Sequence, residues 1–487
     1  MPSRIARREI LASCAGALYA ARSARAAVPK DGFRLAFFNA DITPPVGTPM
    51  LSGVRSRSVA DPLFAKGLVL LGAREPVVLA ALDWCEVRNE SYERWRSVLA
   101  KAAGTTRQRV LVSCVHQHDA PYVDIVAQRL LKAHRADGDL CDPKSSEKAL
   151  QNVSRALRSS LAGARAITQI GCGEGRVDEV ASNRRYVTAD GKVSFGRTSA
   201  TRDAAIRAMP VGLVDPMLKT LSFWAGDRPV AAVHCFATHP MSYYGKGDLS
   251  ADFPGIARAR RQMDFPDVPQ IYLSGCAGDI MAGAFNDGDP KNRPILADRL
   301  YKGMAAAWEA TKKHPLESIG FRCGSMKFAP RETPGFSLDE MKKQIASPSE
   351  PFRVKYQAAL GLSWRKRLDA GPAIDVPSID FGAAHLVLMP AESFVQYQLW
   401  AQQMRPDSFV MTPAYGECAP GYIPTAESAA EGYDDHYCWV AFPDCERVMR
   451  GALDAALRPA RQGARDGNDE GSLIKRAEPP SSPQSGH

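Results

Sequence analysis

The sequence predicts an α/β fold: a single large domain with a mixed β-sheet core flanked by helices. Two observations carry this expectation. Short runs rich in Val, Ile, Leu and Phe alternate with longer patterns of helical period, the order that folds into a sheet covered by helices. In addition, 45% hydrophobic and 24% charged residues are ordinary globular proportions, and 487 residues can bury a large core.

The elements follow in order between residues 28 and 458. Strand patterns at Leu35–Asn39, Gly67–Gly72 and Val77–Asp83 precede a helical pattern at Glu90–Ala103. Strand Arg109–Val115 and helix Ser146–Leu161 come next, then strands Thr220–Trp224 and Val230–Ala237. Helix Phe253–Met263, strand Gln270–Leu273 and helices Asn292–Lys312 and Pro351–Leu368 follow. Strand His385–Met389 and helix Cys445–Leu457 complete the series. No internal repeat and no Pro/Ser-rich linker interrupt this span, so 28–458 reads as one catalytic-sized domain.

Both termini differ from it. Residues 1–27 begin with paired arginines, Arg7-Arg8, pass through a weakly apolar run to Ala21, and close on the small residues Ala24-Arg25-Ala26. That is the pattern of an export signal of twin-arginine type, which places the mature protein in the periplasm or outside the cell. Residues 459–487 are almost free of apolar side chains and read as a disordered polar tail.

The formal net charge is +9, and five arginines against one glutamate in residues 1–27 supply +4 of it. The remainder forms no basic stripe interleaved with aromatics, so nucleic-acid binding is not expected. No stretch is apolar enough over roughly 18 residues to span a bilayer. There are 11 cysteines and no C-x-x-C pair. Cys114, Cys235 and Cys276 read as buried free thiols. Cys418, Cys438 and Cys445 lie close enough in sequence for one pair to bridge in an oxidising compartment.

The chemistry lies among nine histidines. In Val115-His116-Gln117-His118-Asp119-Ala120-Pro121 an apolar strand runs into H-x-H, a spacing that puts both imidazoles on one face of a strand. In Phe236-Ala237-Thr238-His239-Pro240 a second strand ends in histidine. Sites in α/β sheets sit beyond the carboxyl ends of strands, and imidazole suits zinc. A catalytic zinc needs a third protein ligand, often acidic. Glu392, at the end of Leu386-Val387-Leu388-Met389-Pro390-Ala391-Glu392 and the start of a helix pattern, is the candidate. The alternative role for Glu392 is to stabilise that helix's first turn.

Eight short motifs in order resemble the catalytic domain of the neutral/alkaline (non-lysosomal) ceramidases, over roughly residues 33–458. Asp41-Ile42-Thr43-Pro44-Pro45 is similar to the family's D-I-T-G-P, and Asp83 to its strand-end aspartate. His116-Gln117-His118-Asp119-Ala120-Pro121 is similar to H-T-H-S-G-P, and Asn183-Arg184 to N-R-S. Phe236-Ala237-Thr238-His239-Pro240-Met241-Ser242 is similar to F-A-x-H-P-x-S, and Gly278-Asp279-Ile280 to the start of G-D-V-S-P-N. Pro390-Ala391-Glu392 is similar to P-G-E, and Gly421-Tyr422-Ile423-Pro424-Thr425 with Tyr433 to x-Y-I-T-T and a downstream tyrosine.

The resemblance implies one Zn2+ per chain, held by His116, His239, Glu392 and Tyr422. It implies His118 as a residue that contacts substrate or shuttles a proton, and Arg184 (or the adjacent Arg185) as a contact to the substrate carbonyl. Tyr433 would face the same pocket. Asp119 or Asp41 would orient a histidine from behind. The implied activity is zinc-dependent amide hydrolysis of an N-acyl compound, a small molecule or a ceramide-like lipid, with peripheral membrane contact. The alternatives are a zinc hydrolase for an ester, lactone or carbohydrate-derived substrate, or a non-catalytic metal- or ligand-binding member of the scaffold.

Three departures bear on the substrate. Met281 stands where the family has a serine, and a thioether cannot donate a hydrogen bond to a sphingoid hydroxyl. The Tyr422–Tyr433 spacing is one residue short. The residues after Leu457 do not resemble the immunoglobulin-like β-sandwich that follows the domain in family ceramidases. A long apolar groove beside His118 would favour a lipid, and a small polar pocket the ester or lactone class.

Overall fold

The computed structural model describes residues 32–458. The proposed export signal (1–27) and polar tail (459–487) lie outside the described residues.

The architecture is mixed α/β. Two five-stranded sheets share one pattern of pairing. In the first, strand Val110–Cys114 runs parallel to Val77–Leu82, which pairs antiparallel with Phe64–Leu71, then Phe33–Asp41, then Arg165–Ile167. In the second, Gln270–Ser274 runs parallel to Arg228–Phe236, which pairs antiparallel with Met217–Ala225, then Gln169–Arg176, then Lys312–Pro315. A four-stranded sheet of Gly320–Met326, Ile374–Asp380, Ala384–Val387 and Phe409–Met411 completes the core.

The period of two along the strands explains how these sheets pack. Phe33 and Leu35 point into one apolar cluster with Leu221, Phe223, Val233, Ile379 and Leu386, which joins all three sheets. Ala36, Phe38 and Ala40, the alternate set, point into a second cluster with the helices. Strand Val77–Leu82 is buried at every position, which is why it reads as an unbroken apolar run.

All six sequence-predicted helices form, within a few residues of their expected ends: Asn89–Ala103, Pro143–Ser160, Asp252–Asp264, Asn292–Glu309, Phe352–Ala370 and Asp444–Leu457. The first ends on Gly104 in the left-handed conformation. Strand Gln169–Arg176 escapes a propensity reading because glycine disfavours strands. Its Gly173 and Gly175 face helix Asn292–Glu309 so closely that a Cβ on either would collide with the Ala307 or Gly303 carbonyl.

Two expectations are corrected. The strand before Glu392 stops at Val387, and helix Val395–Met404 begins only later. Glu392 instead lies in a two-residue parallel pairing with Tyr422, so tertiary contact and not a helix start positions it. No disulfide forms among the described residues. The Cys418, Cys438 and Cys445 thiols each donate to a different backbone carbonyl, those of Gly416, Tyr422 and Pro424. No helix among the described residues is long and apolar enough to cross a membrane.

Candidate metal centre

Three chain segments deliver His116, His239 and Glu392 to one point. Strand Val110–Cys114 ends, and the chain turns sharply through His116, which adopts a left-handed φ of 73°. Non-glycine residues rarely hold that conformation, and it marks sites where the surroundings overdetermine the backbone. Here the His116 amide donates to the Trp84 carbonyl, and Ser274 Oγ donates to the Val115 carbonyl at 2.7 Å. Ala391 and Tyr415, both beside the site, are left-handed as well. The H-x-H pair is therefore presented by a strained turn and not by a continuing strand, as its spacing suggested. The two rings stand edge to face, 5.1 Å apart.

The imidazoles are aimed by backbone carbonyls. His116 Nδ1 lies 3.0 Å from the Cys85 carbonyl and His239 Nδ1 lies 2.6 Å from that of Ala277. Those bonds place the proton on Nδ1 and turn each Nε2 lone pair inward. His239 Nε2 is 3.0 Å and His116 Nε2 3.4 Å from the same Glu392 oxygen, Oε2. One ligand atom from each of the three residues lies within 4.8 Å of the others. Ligands on a tetrahedral zinc at about 2.0–2.2 Å are spaced in this range. His116 Nε2 is buried and makes no hydrogen bond among the described residues. A buried orphan nitrogen beside a carboxylate and a second imidazole is the donor set of a divalent transition metal, so the residues fit the ion. Burial alone would raise the Glu392 carboxyl. His116 and His239, when protonated, more than offset this and hold it below the usual carboxylate range, a role that a cation between the three residues takes over.

The remaining sequence candidates surround this triad. His118 lines the cavity, with both ring nitrogens free of hydrogen bonds among the described residues. Burial, then His116 and His239, push its pKa well below normal, so it stands neutral. Tyr422 also lines the cavity, its ring nearly parallel to His239 at 6.3 Å. Burial and the Glu392 carboxylate push its phenol well above normal, so only an adjoining cation would draw off its proton. The Arg184 guanidinium sits over the Tyr422 ring at 5.4 Å and reaches the cavity. Arg185 points away and pairs with Glu431 at 2.6 Å, so Arg184 is the arginine at this site. Tyr433 stands behind Tyr422, ring centroids 6.2 Å apart, outside the cavity lining.

Neither aspartate orients a histidine. Asp41 accepts from its neighbour Thr43, and Asp119 accepts from the Gly245 amide at 2.8 Å. The carbonyls of Cys85 and Ala277 take that role. A cavity of about 460 Å³ opens over the triad. Its walls include Glu86, Asp435, His436 and Arg353, which no local motif marked. The one sequence signal was for Glu86: a glutamate four residues beyond the end of the apolar strand Val77–Leu82. Burial pushes its carboxyl up to about 8, against the pull of Arg88. Met281 lies on the wall as well.

Gly278 is packed so tightly under Glu392 that a Cβ would overlap the Glu392 carbonyl. Gly278→Ala must shift the Glu392 carboxylate or strain the turn. We expect destabilisation of roughly 1–3 kcal/mol in urea denaturation, with weakened metal retention. Wild-type values for both would show that the packing is looser than this.

No family model matches the chain. No curated protein matches it either. Solved structures do: a neutral ceramidase from Pseudomonas aeruginosa, at TM-score 0.64 and 16% identity, over 87% of this chain and 74% of that one. A second, described as ceramidase complexed with C2, matches at TM-score 0.64 and 16% identity over 90% and 77%. At that identity the likeness is one of fold.

Proposed function

We propose that this chain is an exported zinc-dependent hydrolase that cleaves an acyl amide, on a fold like that of the neutral ceramidases. The observation that carries the reading is the convergence of His116, His239 and Glu392 beneath a cavity walled by His118 and Arg184. In the reaction the oxygen of water adds to the acyl carbon, the carbon–nitrogen bond breaks, and the nitrogen leaves with a proton. The products are a carboxylic acid and an amine.

His116, His239 and Glu392 would hold a zinc ion, with Tyr422 as a further donor, and such an ion would supply Lewis acidity to water at neutral pH. The chain's own residues do the rest. The Cys85 and Ala277 carbonyls hold the two imidazoles in orientation. Arg184 donates to the oxygen on which negative charge develops, in a site where its guanidinium is largely withdrawn from water. His118, neutral at rest, takes a proton as water attacks and hands it to the departing nitrogen.

The cavity is compact, and charged side chains stand on several sides of it. Apolar and aromatic side chains stand among them, including Leu51, Met241, Tyr244 and Met281. A compact acyl compound fits a cavity of about 460 Å³ better than a two-chain lipid, and Met281 offers no hydrogen bond to a sphingoid hydroxyl. The same observation favours the second reading, an ester or lactone of similar size.

The test uses the full chain. Elemental analysis should find about one zinc per chain, as a single site holds. Removal by a chelator should abolish hydrolysis of N-octanoylglycine, and zinc should restore it. A protein that takes up no metal when zinc is supplied would overturn the reading. Hydrolysis of the matching ester with the amide untouched would select the second.

A further inference from the structure

The cavity wall away from the triad carries a chain of four charged or polar side chains. Arg184 Nη1 stands 3.4 Å from Asp435 Oδ2. Asp435 Oδ1 stands 3.8 Å from His436 Nδ1, and Arg353 Nη2 donates to His436 Nε2 at 3.0 Å. All four line the cavity. Arg184 thus meets the Asp435 carboxylate directly, at the long end of hydrogen-bond distance, while Arg353 has no carboxylate of its own among the described residues and stands on the far side of the His436 ring.

The spare capacity is on the cationic side. Arg184 is largely buried, and its Nε–H finds no acceptor among the described residues. Such a donor is costly to leave unpaired. Arg353 is the second residue of helix Phe352–Ala370, whose first turn carries no acidic residue, so the positive end of the helix adds to its charge. Glu86, the other carboxylate of the lining outside the triad, is already faced by Arg88 at 3.5 Å. The wall is therefore short of one anion. A planar guanidinium matches a carboxylate in both charge and geometry.

We propose that this wall is a carboxylate subsite, with Arg353 as a specificity-determining residue, and that the substrate is an N-acyl amino acid. This rests on the hydrolase reading above and narrows it: a compact acyl chain, amide-linked to an amine that bears an acid group. The acyl carbon faces the triad and His118, with Arg184 against its oxygen, while the acid group reaches Arg353 at the rim of the same wall.

The experiment compares binding of N-octanoylglycine with that of the neutral N-octanoylglycinamide, by calorimetry on the full-length zinc-loaded protein. Wild type should bind the acid at least about tenfold more tightly, the size of a charge-assisted hydrogen bond. In Arg353→Gln, on the exposed rim, the preference should fall to within about twofold while the melting temperature stays at the wild-type value. Equal binding of the two compounds to wild type, failure of both to bind, or a preference that survives in Arg353→Gln overturns the subsite. Hydrolysis of both is followed in parallel. An acid preference without turnover keeps the subsite and overturns the hydrolase reading. Turnover of both with equal affinities does the reverse.

Discussion

Alanine at His239 should empty the metal site and abolish hydrolysis. His239 is fully buried, and its Nε2 is the nearest of the imidazole nitrogens to Glu392 Oε2. Its Nδ1 is satisfied by backbone carbonyls, which commits the other nitrogen to the ion. With the imidazole gone, Glu392 keeps one imidazole partner at 3.4 Å, and the triad is reduced to two donors beside Tyr422. A bound metal takes several kcal/mol off the barrier, and each 1.36 kcal/mol is tenfold, so kcat/KM should fall by at least roughly a thousandfold. The measurement is zinc content and kcat/KM on one preparation, with the melting temperature as a check on folding. A folded variant that keeps both its zinc and its activity would exclude His239 as a ligand.

The second large effect concerns stability. Asp83, at the end of strand Val77–Leu82, accepts two hydrogen bonds from Arg258, each 2.7 Å, and a third from the Phe64 amide at 2.8 Å. Both side chains are almost wholly buried. Asp83→Ala leaves the Arg258 guanidinium without its counter-charge in a low-dielectric interior. Breaking a buried pair from one side costs about 3–5 kcal/mol, far more than the pair itself contributes over apolar replacements. Lys66 compounds the loss. Burial and Arg258 already lower its pKa to about 8 against the pull of Asp83, and without that carboxylate it is disfavoured further. Urea denaturation of the zinc-loaded protein should show the drop. A loss under about 1 kcal/mol would mean that water reaches Arg258 and the pair is effectively at the surface.

Much of the fold was legible because it rests on local pattern. Helix Asn89–Ala103 announces itself by helical spacing and by the glycine that follows it. Strand Val77–Leu82 announces itself as an unbroken apolar run. Histidines after two such strands marked side chains that meet, since strand ends bring side chains together beyond the sheet edge. The misses have one physical origin. Strand Gln169–Arg176 is made of glycines chosen for a helix that packs on it from more than a hundred residues away, so no local propensity reports it. Cys418, Cys438 and Cys445 are near in sequence, yet each thiol found its own carbonyl.

The amino-acid sequence by itself determined the class of fold, the order of its elements, and the side chains available for chemistry at strand ends. Only the tertiary structure decided which of them meet. His239 and Glu392 are 153 residues apart and Arg184 and Asp435 are 251 apart, and their contacts are set by how whole sheets and helices pack. The same packing turned His116 into a left-handed conformation, set Arg184 rather than Arg185 toward the cavity, and placed Tyr433 behind its wall. Local propensity acts over a few residues, whereas burial and the pairing of polar groups are satisfied over the whole chain at once.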